Sequence, residues 1–224
     1  VMSPAVLFDI DGTLVDSNYL HVHAWQRAFT EVGLHVESWR IHRCIGMDGS
    51  SLVDELGSGE VDDPERLKDL HSRFYGQTVD LLRPLPGAWA LLEAVAEMGL
   101  QVILATSAPE DELSILREVL GRDDIVSAVT SSGDVETAKP NPDIVRVALD
   151  RAGVGPDHAV FVGDSVWDVE AAARAGMECH CLRSGGISKA ELEHAGATAV
   201  FDDPRDLAEH LGDTRIGRLA MSEA

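Results

Sequence analysis

Apolar positions along the chain recur with two periods. The stretches "AVLFDI" (5–10), "QVILATS" (101–107), "IVSAVTS" (125–131), "AVFVGDS" (159–165), "MECHCL" (177–182) and "TAVFD" (198–202) are short apolar runs, most of them rich in Val and Ile. Runs of this length predict strands buried on both faces of a parallel sheet. Between them the period is helical. In "GAWALLEAVAEMG" one face gathers Ala88, Leu91, Leu92 and Val95, and in "NPDIVRVALDRAG" one face gathers Ile144, Val145, Ala148, Leu149 and Ala152. The second of these helices is predicted to start with Asn141 as N-cap and Pro142 at its first position, and to stop at Gly153. Strands alternating with helices predict an α/β chain built on a Rossmann-like, doubly wound parallel sheet.

One segment breaks the alternation. From Asn18 to Arg83 the pattern is helical, without a convincing strand. Val22, Trp25, Phe29 and Val32 form one stripe, closed by Gly33, and further helices fit about 48–56 and 62–80. The stretch "RPLPG" (83–87) then punctuates the chain. The expected organisation is a catalytic core of residues 1–16 and 86–224, with an all-α cap, residues 17–85, inserted after the first strand and setting substrate specificity.

Composition narrows the choice of partner. The 224 residues suffice for a core domain with a smaller companion. Acidic residues number 39 against 18 basic, a formal charge of −21. That balance argues against nucleic acid as the main partner, since phosphate contacts need clustered Lys and Arg. It also means that any phosphate-bearing substrate must be held by a local cation. No run of about 18 apolar residues is present, so no membrane span is expected, and no charged segment followed by an apolar one is read as a leader. Cys44, Cys179 and Cys181 do not make a disulfide framework, so a reducing, cytoplasmic setting is expected. Cys179-His180-Cys181 lacks the spacing of a zinc hook and reads as alternation along a strand.

The chemistry gathers where the apolar runs end. The first ends in Asp9 and Asp11, the second in Thr106 and Ser107, and "AVFVGDS" in Asp164, with Asp168 four residues on. Lys139 lies in the loop before the 141–152 helix. In open α/β sheets ligands bind outside the carboxyl ends of the strands, so these residues can meet at one edge. Buried carboxylates are costly unless paired or bound to a cation. Several of them, with one Lys, a hydroxyl and backbone amides, suit Mg²⁺ plus phosphate. Each residue also has a plainer reading. Asp9 and Asp11 can cap a turn before Gly12, Thr106 can simply end a strand, Lys139 can be a solvated charge, and Asp168 can serve a helix dipole.

Taken together, "DIDGTLVDS", "ILATSA", "AKPNPD" and "VGDSVWD" resemble, in order and spacing, the four motifs of the haloacid dehalogenase-like hydrolases, over about residues 5–170. The helical segment is similar to the cap of the subgroup containing phosphoglycolate phosphatases and β-phosphoglucomutase. The resemblance implies a Mg²⁺-dependent phosphatase that hydrolyses a small phosphorylated metabolite through an aspartyl-phosphate. It implies that Asp9 is the nucleophile and stays ionised, and that Asp11 is the general acid and base, in surroundings that raise its pKa. Thr106 and the backbone N–H of Ser107 would hold the phosphoryl group, and Lys139 would balance its charge. Mg²⁺ would be held by Asp9, the Asp11 carbonyl and Asp164, with Asp168 ligating or orienting. His21 matches a His that gates the acid/base Asp in the mutase, which places it beside the substrate; its plainer reading is a solvated helix residue. Trp25 reads as core packing, Thr13 as turn support, and Asp16 with Ser17 as the hinge into the cap. The alternative activity is that of a sugar-phosphate mutase. Against it stand Gly49, where the mutase cap presents Arg, and Gly163, where the mutase has Glu. A phosphonate hydrolase would need a cap Lys in the matching stretch, and Lys68 lies outside it. Receiver modules are shorter and lack the insert.

Overall fold

The computed structural model describes residues 3–57, 59–135, 137 and 139–221. The outer ends of the expected core segments, residues 1–2 and 222–224, and Ala138 of the third motif lie outside the described residues. The first strand, β1 (Ala5–Phe8), is followed by four helices, α1 (Asn18–Glu31), α2 (Ser38–Cys44), α3 (Gly49–Gly57) and α4 (Pro64–Gly76). The alternation then resumes with α5 (Ala88–Glu97), β2 (Gln101–Ala105), α6 (Glu110–Leu120), β3 (Val126–Thr130), α7 (Asp143–Ala152) and β4 (Ala159–Gly163). It closes with α8 (Val166–Arg174), β5 (Glu178–Leu182), α9 (Lys189–Ala195), β6 (Ala199–Phe201), α10 (Pro204–His210) and α11 (Arg215–Met221). The fold is therefore α/β, with an all-α cap inserted after the first strand.

The strands form one six-stranded parallel sheet in the order β3-β2-β1-β4-β5-β6. Alternate residues face opposite layers. Val6, Phe8, Val102, Leu104, Val160 and Val162 pack with Leu91, Leu92, Leu116, Leu207 and Ile216 of α5, α6, α10 and α11. Leu7, Ile103 and Phe161 pack with Ile144, Val145, Val169 and Leu192 of α7, α8 and α9. Each large side chain so buried contributes about 1.5–3 kcal/mol. The strands are shorter than their apolar runs because the chain turns into loops just past Asp9, Thr106 and Asp164, of which Asp9 and Thr106 still donate their N–H to the Val162 and Thr130 carbonyls.

The expected start of α7 is off by one residue. Pro142 occupies the cap position, no side chain caps the helix, and Asp143 is the first helical residue, while Gly153 ends it at φ 68° as expected. Proline has no N–H to leave unpaired, so it fits either position. In the cap the expected helix at 62–80 divides into α4 and a short 3-10 turn at Val79–Leu81. Asp63 caps α4 by accepting from the Arg66 N–H at 3.0 Å. Helix α2 was not anticipated, because only Ile41 and Cys44 of its seven residues are buried and no period can show. The cap is tied to the core at its hinge, where Asp16 N–H donates to the Arg83 carbonyl at 2.9 Å. Further ties are Trp167 Nε1 to the Arg43 carbonyl (3.1 Å), His42 Nε2 to the Gly185 carbonyl (2.8 Å), and the Arg43–Glu191 ion pair. No helix among the described residues is long and apolar enough to cross a membrane. All three cysteines are free, and Cys179 to Cys181 run along β5 as the alternation predicted.

Candidate active site

In this strand order the chain reverses direction between β1 and β4, where ligands gather in such sheets. Phe8 pairs with Val162, and the Asp9 N–H continues the ladder to the Val162 carbonyl at 2.9 Å. Asp9 and Asp164 therefore leave adjacent strand ends together. Lys139 Nζ, fully buried, lies 2.6 Å from Asp9 Oδ1, 2.8 Å from Asp168 Oδ1 and 3.3 Å from the Ala105 carbonyl. That excludes its reading as a solvated charge. Carboxylate oxygens of Asp9, Asp164 and Asp168 all lie within 4.8 Å of one another.

Neighbouring groups fix these carboxylates. Asp164 accepts from Thr13 Oγ1 (3.1 Å) on one oxygen and from Asn18 Nδ2 (2.8 Å) on the other. Asp168 serves two purposes. Its Oδ2 accepts from the Asp164 and Ser165 N–H groups and from Ser165 Oγ in a capping box at the start of α8, while Oδ1 meets Lys139. Two glycines make the approach feasible. Gly12 has φ +71°, and a Cβ there would sit 2.5 Å from Asp164 Oδ2; a Cβ on Gly163 would sit 2.5 Å from Asp168 Cγ.

Three buried carboxylates face one ammonium. Burial pushes the Asp9 carboxyl up to about 7, with Lys139 pulling the other way and Asp168 and Asp11 adding to the rise. Burial, then Asp168 and Asp9, hold Asp164 well above the carboxylate range despite Asn18 and Thr13. Burial alone would pull Lys139 down, yet Asp168 and Asp9 keep it above its ordinary value. Lys139 alone leaves negative charge in excess, so the expected ionised state of Asp9 rests on a bound cation as well as on Lys139. An all-oxygen donor set with such an excess fits a hard divalent cation such as Mg²⁺.

Asp11 turns the other way. Its Oδ1 accepts from Ser17 Oγ at 2.5 Å and lies 3.2 Å from His21 Nε2. Burial would raise its pKa, but the hydrogen bond and charge of His21, with Ser17, hold it below the ordinary value. This reverses the expectation of a raised pKa, because the cap supplies a basic partner. The same contact keeps His21 above its usual value although burial opposes it. His21 is buried rather than solvated, and both its ring nitrogens are engaged, the second 3.1 Å from His71 Nε2. It contacts Asp11 and lines the cavity above it. Ser17, read as hinge, and Thr13, read as turn support, each carry a hydrogen bond to a site carboxylate. Asn18, His71 and Glu112 went unread. Thr13, Ser17 and Asn18 had a signal, being polar residues within a turn and a half of the first motif; His71 and Glu112 had none.

Above these groups lies a cavity of about 610 Å³ lined by Asp9, Asp11, His21, Thr106 and Ser107 from below and by Trp25, Gly49 and Lys68 from the cap. Thr106 is buried and its Oγ1 accepts from the Ala108 N–H at 3.0 Å. Ser107 Oγ donates to the Gly46 carbonyl at 3.3 Å, which leaves the backbone N–H as the group Ser107 can offer a ligand. Trp25 packs in the core as expected and stacks on His71, ring centroids 4.2 Å apart.

Comparison with known proteins agrees with this geometry. The family model described as haloacid dehalogenase-like hydrolase matches residues 6–181. A phosphoglycolate phosphatase from Rhodospirillum rubrum is 33% identical over 96% of this chain and 94% of its own length. The crystal structure of a hydrolase from Pseudomonas syringae is 36% identical and superposes with a TM-score of 0.90, over 94% of this chain and 99% of that one. A β-phosphoglucomutase from Clostridium difficile shares the fold at 20% identity, with a TM-score of 0.83 over 99% of both chains.

Proposed function

The chain belongs to the haloacid dehalogenase-like hydrolases and is an enzyme of their phosphatase type, and we propose that it releases inorganic phosphate from a small phosphomonoester through an aspartyl-phosphate on Asp9. The observation that carries this reading is the buried Asp9–Lys139–Asp168–Asp164 cluster beside Asp11, with Asp9 and Asp11 lining a cavity of about 610 Å³ between core and cap. Such a volume suits a metabolite rather than a polymer. Given the phosphatase relative named above, 2-phosphoglycolate is the first substrate to test.

In this reading Asp9 Oδ attacks phosphorus while Lys139 holds its other flank. Asp11 gives a proton to the leaving oxygen and later takes one from the water that cleaves the aspartyl-phosphate. Thr106 Oγ1 and the Ser107 N–H hold phosphoryl oxygens. Asp9, Asp164, Asp168 and the Asp11 carbonyl would hold Mg²⁺, which supplies charge neutralisation of the phosphoryl oxygens. Gly163 supplies no second carboxylate before Asp164, which supports hydrolysis over a mutase; on the cap side Gly49 carries no side chain, and Lys68 packs beside it at the cavity wall.

The test is phosphate release from 2-phosphoglycolate and p-nitrophenyl phosphate with Mg²⁺. Loss of release in EDTA and in Asp9→Asn is expected. Undiminished turnover by Asp9→Asn would overturn the mechanism, and interconversion of sugar 1- and 6-phosphates would turn the assignment to a mutase.

A further inference from the structure

Asp164 is joined to the cap by a chain of hydrogen bonds. Asn18, the first residue of α1, donates through Nδ2 to Asp164 Oδ2 at 2.8 Å and to the Gly185 carbonyl at 3.3 Å. An amide nitrogen has two protons, and these two acceptors take both, so the orientation of the Asn18 amide is set by its neighbours. The Gly185 carbonyl has a second donor, His42 Nε2 of α2, at 2.8 Å. A carbonyl can only accept, so His42 carries a proton on Nε2. The addresses of the four groups alternate. His42 lies on α2 of the cap, and Gly185 in a 3-10 turn, Arg183–Gly185, that follows β5 of the core. Asn18 heads α1 of the cap, and Asp164 follows the end of β4 in the core. Asn18, Gly185 and Asp164 are all buried.

The turn between His42 and Asp164 fits without slack. A Cβ on Gly185 would fall 1.6 Å from Asp164 Oδ2, so the backbone of the turn lies directly on the carboxylate. Gly186 has φ +93°, and a Cβ there would meet Tyr19 Oη at 2.7 Å and His42 Nε2 at 2.9 Å. Glycine at both positions therefore lets the turn pass between cap and carboxylate. Ser184 Oγ donates to the Gly12 carbonyl at 2.7 Å, which ties the same turn to the loop that carries Asp11. On the cap side Tyr19, next to Asn18 on α1, stacks on His42 with ring centroids 5.1 Å apart, so the imidazole is held in place by packing. A shift of the turn would release one of the two acceptors that orient the Asn18 amide and would give Asp164 room to rotate.

We propose, resting on the reading of the carboxylate cluster as a divalent-cation site, that His42 and Gly185 are positioning residues for Asp164. Seating of α2 on the core fixes the turn, the turn fixes the Asn18 amide, and the amide holds Asp164 where its oxygen lies within 4.8 Å of those of Asp9 and Asp168. Cation affinity and the contact between cap and core then raise one another, because a coupling between two binding events is reciprocal.

Mg²⁺ alone is the probe, titrated calorimetrically into the metal-free protein, so no turnover is needed. His42→Leu removes the donor and should weaken Mg²⁺ binding at least about fivefold, within the range of such couplings. His42→Gln, whose amide nitrogen can take the place of Nε2, should return most of that loss. Gly185→Ala should cost at least about tenfold, because its methyl competes with Asp164 for space. Circular dichroism checks its folding, and the His42 pair carries the test if it does not fold. Amide exchange reads the reciprocal effect: Mg²⁺ should slow exchange in α2 and in the turn of the unmodified protein, and less so in His42→Leu. Equal Mg²⁺ affinity in His42→Leu and the unmodified protein would overturn the proposal and leave the cation site standing. A loss that His42→Gln does not relieve would also overturn it, since that marks a general loosening of the cap. An unmodified protein that takes up no Mg²⁺ would bring down the cation-site reading, and the proposal with it, whichever ester is cleaved.

Discussion

At the ends of β1 and β4, three carboxylates share one ammonium, and the charge does not balance. Two residues after Asp9, Asp11 faces an imidazole and a hydroxyl, and there it does. Both clusters are buried, and both open on the same cavity. The first is held rigidly and left short of positive charge, which is what a divalent cation needs to meet. The second is short of nothing, and in the proposed mechanism it moves a proton instead. Burial raises both Asp residues of one motif, yet it wins at Asp9 and loses at Asp11. The partner each side chain finds, rather than its place in the sequence, decides the outcome.

The comparison is broken most directly by removing its first member. Asp9→Asn should lower phosphate release by at least about 10³-fold, since under the proposed mechanism the variant keeps its binding surface but has no nucleophile; a malachite-green assay reads this. Removing the single cation is the next largest effect. Lys139→Met would leave Asp9 and Asp168 buried without their partner, and breaking such a pair destabilises by about 3–5 kcal/mol at neutral pH. Urea unfolding in EDTA checks it, and saturating Mg²⁺ should return part of the loss.

How far the two clusters could be read from the chain differs as much as their chemistry. Parallel strands buried on both faces leave continuous apolar runs, so β1, β2 and β4 and the residues at their ends stood out. Asp9, Asp164 and Lys139 came through as motif positions, and the structure brings them together. The cap's main helices were legible because Val22, Trp25 and Phe29 repeat at helical spacing on one buried face. Short α2 shows no period. The partners of Asp11 are a different matter. His71 lies 50 residues from His21, and Glu112 sits on an acidic first turn of α6 that looks like ordinary dipole compensation. Nothing local marks a contact that only tertiary packing creates, and without it the sign of the Asp11 shift was read the wrong way round.

A pH series sharpens the comparison because Asp9 and Asp11, two residues of one motif, respond with opposite sign. The folded pKa of Asp9 is raised from 3.8 to about 7, so its contribution favours the folded state below about 3.8 and is lost as pH rises towards 7. Asp164 acts in the same direction. Asp11 is lowered from 3.8, so its contribution is present above that value and is lost as pH falls through its folded pKa. His21 is raised from 6.5, and its share is present below that value and is lost as pH rises through its folded pKa. In EDTA, stability should therefore decline between pH 4 and 7, by an amount on the order of 3 kcal/mol. Asp9→Asn should flatten that decline, and Mg²⁺ should abolish it by displacing the protons. Asp11→Asn should leave the decline in place and flatten the loss at the acid end. A decline that both variants flatten equally would mean that the clusters titrate as one.

The smallest expected effect tests whether the first cluster is held by hydrogen bonds or by packing alone. Thr13 Oγ1 donates to Asp164 Oδ1 at 3.1 Å, and the residue is fully buried. Thr13→Val keeps the shape and removes the donor. Asp164 retains its bond from Asn18 Nδ2, so the carboxylate stays but can turn. Losing a bond of this kind behind a metal ligand weakens metal affinity by about 10–100-fold, and the surviving bond points to the lower end of that range. Calorimetric titration of Mg²⁺ into the variant should show that loss, with the Asp11 cluster untouched: the His21 ring spectrum of the metal-free protein should match that of the unmodified protein. A change in that spectrum would show that Thr13 reaches across to the proton-moving cluster, and that the two are not the separate devices their electrostatics describe.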